Sequence, residues 1–432
     1  MAWHGCLNPS KTLRGKSNGI LSDQPDAISG QKTGLVENLP MAMNQQETTT
    51  FVRDLMKDFA ERTGLVGERA PRRYLWTDAF AVCNFLELGR RTSDKTYREL
   101  ALRLVDQVHH VLGRYREDDP RQGWISGLGD AEGEHHPTKG GLRIGKALNE
   151  RGPDEPFDER LEWDRDGQYF HYLTKWMHAL ARVGRVTGVP GYVRWAKALA
   201  ETAVGCFSVG PPSGGPQRMV WKMSIDLSRP LVDSQGQHDP LDGLVTCLEL
   251  RHAASGLGAP AGPDLDRQIA DLAVVAESQP LATADPLGIG GLLTAAHMLT
   301  QLTQAGLAGY GDLLMSVLDE ARPGLAYQMK DRDVLSMPAE SRLAFRELGL
   351  SIGLRAVKRT QEFVERNSRA FASLPALGPH IERMRPYLPL IGAIERFWLE
   401  PQNRGNRTWK EHEDINAVML ATSLAPDGFL AM

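Results

Sequence analysis

Residues 76–112 and 169–207 carry the same helical hairpin written twice, and this repeat limits the fold more than any other feature of the chain. The phrase Arg91-Thr92-Ser93-Asp94-Lys95-Thr96-Tyr97 returns as Val186-Thr187-Gly188-Val189-Pro190-Gly191-Tyr192, and Ala101 and Leu104 are matched by Ala196 and Leu199. One such hairpin cannot bury its apolar stripe. Copies must therefore pack side by side, as an open solenoid or as a closed ring. An aspartate, Asp78 or Asp166, stands just ahead of or within the first turn of each copy.

From Thr48 onward apolar residues recur at three- and four-residue spacings while period-two alternation is nearly absent, so the fold class is all-α. Helices are expected over 50–63, 76–90, 95–113, 166–187, 191–207, 239–255, 264–278, 286–305, 310–321, 339–366, 376–398 and 410–423, which makes about six hairpins. They form one domain over 47–432. Residues 1–46, rich in Gly, Ser, Asn, Gln and Lys, lack an apolar core segment and helical periodicity and are expected to be a disordered tail. With 41% hydrophobic and 24% charged residues and a formal net charge of -4, the chain reads as a cytoplasmic globular protein with no electrostatic reason to bind nucleic acid. No apolar run is long enough to span a membrane. Cys6, Cys83, Cys206 and Cys247 have no metal-ligand spacing, and no metal or cofactor is expected.

Turns within hairpins are short, whereas the connections over 114–164 and 208–238 are long. In a ring of hairpins the long loops gather on one face, and long loops in compact domains are usually functional. The working face is thus the one where Trp76, Asp166, Asp239 and Asp414 begin their helices.

Tyr74-Leu75-Trp76-Thr77-Asp78-Ala79-Phe80, together with Asp166-Gly167-Gln168-Tyr169-Phe170-His171-Tyr172 and the Thr187 turn, resembles the acid-bearing inner helices of the six-hairpin (α/α)6-barrel carbohydrate enzymes. Those include unsaturated glucuronyl hydrolases, other six-hairpin glycosidases and the N-acylglucosamine 2-epimerase group. The resemblance implies an (α/α)6 toroid from about residue 50 and a small-molecule sugar or oligosaccharide as substrate. The segments Trp221-Lys222-Met223-Ser224-Ile225-Asp226 and His412-Glu413-Asp414-Ile415-Asn416 match no motif of those families. A fold of this kind hosts hydrolases, isomerases and lyases, so function has to come from the site.

Two carboxylates across a sugar-sized cavity can protonate a leaving oxygen and activate water, and Asp78 and Asp166 are the first pair to consider for glycoside hydrolysis. An Asp at a helix N-terminus is equally an ordinary cap. Glu162, Trp163, Asp164 and Asp166 place acids around an indole that a sugar ring could stack on; Trp76 and Trp124 invite the same reading, against plain core packing. In the longest loop Lys139 and Arg143 could recognise a carboxylate or phosphate on the substrate, and of the adjacent His135 and His136 at most one, taken as His136, would face the cavity. Lys222, four residues before Asp226, admits a salt bridge or a cavity wall. His238, Asp239 and Asp242 open another inner helix, where His238 could act as a general base, and His412 could do so at the last helix. Paired carboxylates at the axis would favour hydrolysis and paired histidines would favour a sugar epimerase or isomerase. A ring whose acids all serve as caps or ion pairs would be a glycan-binding toroid.

Overall fold

The computed structural model describes residues 43–432 apart from 211–217, 259–261, 308 and 331–335. Twelve principal helices follow in order among the described residues: α1 (Gln45–Arg62), α2 (Leu75–Thr92), α3 (Lys95–Leu112), α4 (Phe170–Thr187), α5 (Pro190–Phe207), α6 (Asp239–Gly256), α7 (Asp266–Ser278), α8 (Pro286–Gln304), α9 (Gly311–Lys330), α10 (Ala344–Arg366), α11 (Pro389–Leu399) and α12 (Glu413–Leu424). The even-numbered helices pack on one another in sequence, and α12 returns to pack on α2. The ring is closed. Each odd-numbered helix covers it from outside, with α1 lying on α12, so one hairpin of the six is assembled from opposite ends of the chain.

Burial explains the division into two layers. In α2 every residue from Leu75 to Leu88 is buried, as an inner helix touched on all sides requires. In α3 the buried positions are Ala101, Leu104, Val105, Val108, His109 and Leu112, a single stripe at three- and four-residue spacing. Inner helices α8 and α10 meet backbone to backbone. A β-carbon on Gly290 would lie 2.1 Å from the Gly349 carbonyl oxygen, and one on Gly353 would lie 2.5 Å from the Gly290 Cα. Any larger residue there would force the two helices apart.

Several sequence expectations change in detail. Residues 1–42 of the expected tail lie outside the described residues, but its last residues are the start of α1: the Asn44 side chain accepts the N–H groups of Gln46 and Glu47, and Glu47 accepts the N–H of Asn44 at 2.9 Å. This is a capping box. The helix expected over 310–321 runs on to Lys330 with Pro323 inside it. The segment 376–398 is broken into Leu377–Glu382, Arg385–Tyr387 and Pro389–Leu399, with Pro386 and Pro389 each opening a new element.

The long loops hold the one feature the periodicity conceals, a small antiparallel sheet. Its central strand β3 (Arg218–Met223) pairs with β1 (Gln168–Tyr169), β2 (Ser208–Val209) and β4 (Pro230–Gln235). Gln168 stands opposite Met223 and Tyr169 opposite Lys222, which ties the β3–β4 hairpin to the start of α4. The hairpin and the short helix Glu159–Asp164 thus sit over the N-terminal ends of the inner helices. No described helix is long and apolar enough to cross a membrane.

One consequence of the close packing is measurable. His109 on α3 is buried and accepts the Trp176 indole N–H at 3.2 Å, a bond that requires an unprotonated Nε2. Burial pushes its pKa down to about 3, with His110 adding repulsion, and burial holds His297 at about 4. Below about pH 6.5 the unfolded chain takes up protons that these two folded-state imidazoles refuse, so stability is lost as pH falls from 6.5 toward 4. Asp78 acts in the opposite sense: burial raises its pKa to about 6 against the pull of Arg73, so the folded state gains as it protonates. Two groups outweigh one, at about 1.4 kcal/mol per pH unit each. The expected result is a lower thermal midpoint at pH 4 than at pH 7, with His109→Gln, which keeps an acceptor for Trp176 but does not titrate, flattening the slope; an unchanged slope would refute the assignment.

Candidate functional site

A cavity of about 530 Å³ lies on the ring axis, open at the N-terminal ends of the inner helices. Phe80, Met298, Ile352, Met419 and Phe429 line its depth. Phe429 stacks on Phe80 with 4.2 Å between centroids, and the carbonyls of Gly428, Phe429 and Leu430 accept hydrogen bonds from Arg182, His178 and Gln301. The segment Asp427–Leu430 is therefore anchored as the floor.

The walls near the mouth are aromatic. Trp76 on α2, Tyr169 on β1 and Trp221 on β3 converge with His171 on α4: Tyr169 and Trp221 are 4.9 Å apart, Tyr169 and His171 stack at 5.4 Å, and Trp163 meets Trp221 edge-on at 5.2 Å. Such faces suit the apolar C–H surfaces of a sugar ring.

Polar groups enter from α4 and α6. His171, Lys175 and His178 fall at i, i+4 and i+7 on α4, one face of the helix, and all three line the cavity. From α6 come His238, Asp239 and Asp242. Lys175 Nζ is 2.9 Å from Asp242, and His171 Nδ1 is 3.5 Å from Asp239 Oδ1. Asp239 is 4% exposed, and its Oδ2 has no hydrogen-bond partner. This oxygen packs so closely on Gly236 that a β-carbon there would come within 2.0 Å.

The three imidazoles differ in what they can do. His238 Nε2 lies 2.8 Å from the Leu281 carbonyl oxygen, which can only accept, so Nε2 carries the proton and Nδ1 is left as a base in the neutral ring. His178 is committed on both sides, with Nδ1 2.8 Å from Glu249 and Nε2 2.9 Å from the Phe429 carbonyl. Glu249 also accepts from Arg185, and although burial pushes its pKa up, His178 and Arg185 together hold it below the ordinary value. His178 is a wall. His171 keeps its Nε2 without a protein hydrogen bond among the described residues, beside the Asp239 carboxylate.

Of the residues singled out in the sequence, Trp76, Glu162, Trp163, His238, Asp239 and Asp242 line this cavity. The others do not, and each has a physical reason. Asp78 is 1% exposed, accepts the Tyr74 N–H at 2.9 Å and lies 3.5 Å from Arg73, which makes it a helix-start ion pair. Asp166 is fully buried and accepts from Arg143 at 2.5 Å, from the Gly145 N–H at 3.0 Å and from the Gly167 N–H at 3.1 Å. It ties the long loop to the start of α4, and the Arg143 expected to meet an anionic substrate is used up in doing so. Lys222 is buried, with all three ammonium protons directed to the Glu162 carbonyl, the Glu162 carboxylate and the Arg165 carbonyl at 2.8–2.9 Å; burial lowers its pKa. Trp124 is buried between the Arg114 guanidinium, 4.5 Å from its ring centroid, and His110. His136 caps the exposed helix Asp130–His135, and Asp164 is exposed outside the cavity. His412 opens α12 against Phe345, partly buried with its pKa lowered by desolvation, and is not in the cavity wall.

The residues that sequence reasoning passed over are His171, Lys175, His178, Tyr169, Trp221 and Asp285. A signal for the first three was present. His171, Lys175 and His178 stand at i, i+4 and i+7 on a largely buried inner helix, and such a row of polar side chains calls for a purpose.

No family model and no curated protein matches the chain. Solved structures with a related course of the backbone include a cellobiose 2-epimerase from Spirochaeta thermophila (TM-score 0.45, 12% identity, 87% of this chain and 98% of that one) and a sugar epimerase from a ruminal bacterium (0.42, 10%, 82% and 86%). An unsaturated glucuronyl hydrolase specific for heparin aligns with a TM-score of 0.33 at 13% identity, over 65% of this chain and 82% of that one. Likenesses of this degree carry no argument about chemistry.

Proposed function

We propose that the protein is a sugar-transforming enzyme that moves a proton at a carbon next to a carbonyl, as an isomerase or epimerase does. The observation that carries this reading is that His171 and His238 line an aromatic-walled axis cavity together with Asp239, while Asp78 and Asp166, the pair a hydrolase would have used, lie outside it. In this reading His238 Nδ1 takes the proton from carbon. The electron pair left behind moves onto the carbonyl oxygen, where the His171 imidazolium, held by Asp239, donates its proton or a hydrogen bond. Where His171 only hydrogen-bonds the oxygen, its proton delivered to the opposite face of the same carbon re-forms the carbonyl and gives an epimer; where His171 has protonated the oxygen, transfer of the proton held by His238 to the neighbouring carbon, with the other hydroxyl proton passing back to His171, gives the isomer. No other reactant is consumed.

The test is a panel of free aldoses and ketoses incubated with the protein in deuterated water and followed by NMR. Deuterium uptake at the carbon adjoining the carbonyl is the expected result. Release of reducing sugar from glycosides without exchange into any free sugar would replace this reading with hydrolysis, and absence of both reactions would leave a binding toroid.

A further inference from the structure

The axis cavity changes character with depth. His171 and His238 stand at its mouth, and the Lys175–Asp242 pair lies one helical turn below. His178 follows His171 at i+7 on α4, about 10 Å deeper at 1.5 Å per residue, and its ring meets Phe429 with 4.9 Å between centroids. Below the Lys175–Asp242 pair the lining contains, among the described residues, no carboxylate, ammonium or guanidinium. Phe80, Met298, Ile352, Met419 and Phe429 enclose the floor, and the polar groups at that level are mostly spent: both His178 nitrogens are committed, and the Thr294 hydroxyl donates to the Gly290 carbonyl at 2.9 Å. Sugar hydroxyls reaching this level would give up water and find almost no partners, whereas a methylene would lose nothing.

The wall also keeps an opening that packing does not explain. Gly291 lines the cavity from within α8, three residues past Gly288, on which a β-carbon would come within 3.2 Å of the His238 ring. It therefore lies about one turn below His238, and Met298 follows it at i+7 on the same helix face. A glycine inside a helix lowers its stability, and the neighbouring Gly290 is required by the contact with α10. A β-carbon on Gly291 would meet nothing within 4 Å. The missing side chain leaves a passage from the mouth to the apolar floor, in a cavity of about 530 Å³ that exceeds what one hexose fills.

We infer that the cavity takes a sugar whose end remote from the carbonyl carries an alkyl chain, with the carbonyl end between His171 and His238 and the chain running past Gly291 to Met298 and Phe429. This deepens the reading above and rests on it for the orientation of the ligand. A phosphate or carboxylate at the remote end would be buried against methyl, thioether and phenyl groups, so the floor that accepts an alkyl chain rejects an anion.

Binding is measured by titration calorimetry with D-glucose and D-mannose and with the 6-O-methyl, 6-O-butyl and 6-phosphate derivatives of each. For at least one of the two sugars, each added methylene is expected to tighten binding about two- to fourfold, so that the butyl ether binds at least about tenfold more tightly than the parent sugar, with the phosphate weakest. Gly291→Leu closes the passage, and leucine, the better helix former, should keep or raise the thermal midpoint. In this variant the butyl ether and the parent sugar are expected to bind within about twofold of each other. Met298→Gln, which keeps the chain length but sets an amide in the floor, is expected to lower the ratio of the two affinities at least about fivefold, so a folding failure of either variant leaves the other to decide. A butyl gain that survives in a folded variant places the chain elsewhere and overturns the inference; so do equal affinities along the series, tightest binding of the phosphate, or no binding of either butyl ether. Deuterium exchange in the same samples separates the two proposals: exchange without alkyl preference overturns the alkyl selection alone, and alkyl preference without exchange overturns the proton-transfer reading alone.

Discussion

Replacing His238 by Gln, whose amide nitrogen can take the place of Nε2, is expected to lower the rate of deuterium exchange into the substrate by about 100- to 10,000-fold, the usual contribution of a positioned general base. The amide can still donate toward the Leu281 carbonyl that His238 now meets at 2.8 Å, but it offers no basic nitrogen at neutral pH. Folding should therefore change little, and a thermal midpoint within a few degrees of the parent would confirm that the loss is chemical. Retention of full exchange by this variant would remove His238 from the mechanism and leave His171 as the remaining imidazole with a free nitrogen.

The second large effect concerns stability. Asp166→Asn is expected to destabilise the fold by roughly 3–5 kcal/mol, because it leaves the buried Arg143 guanidinium without its countercharge. Arg116, 3.8 Å from the same carboxylate, adds to the cost. The Gly145 and Gly167 N–H groups keep an acceptor in the amide oxygen, so the loss is mainly electrostatic. Urea denaturation measures it through the midpoint, while the activity per folded molecule should stay near that of the parent. A variant that folds with unchanged stability and has no activity would reinstate Asp166 as a group that touches substrate.

Asp166 and His238 show how far the residues alone lead. Both stand at the start of an inner helix on the long-loop face, and the cavity opens at that face. The long connections 114–164 and 208–238 supply Glu162, Trp163 and Trp221 to its wall. Trp76 and Asp78 illustrate the limit. They are two residues apart on α2, and at about 100° per residue they point to nearly opposite sides of the helix. Trp76 reaches the cavity and Asp78 turns toward Arg73.

Periodicity, repeat length and loop length are local quantities, and they were enough to determine an all-α chain of hairpins with its long connections gathered on one face. The pairing of α1 with α12, which closes the ring, joins residues at opposite ends of the chain. Likewise the neutralisation of Lys222 depends on Glu162, 60 positions away, and that of Arg143 on Asp166, 23 positions away. A charge is available to a ligand only when no protein group has already matched it, and matching is settled by contacts that sequence spacing does not contain. The tertiary structure therefore decided which acids and bases serve as ties and which face the axis: it left Asp239, His171 and His238 there and withdrew Asp78, Asp166, Arg143 and Lys222 into the scaffold.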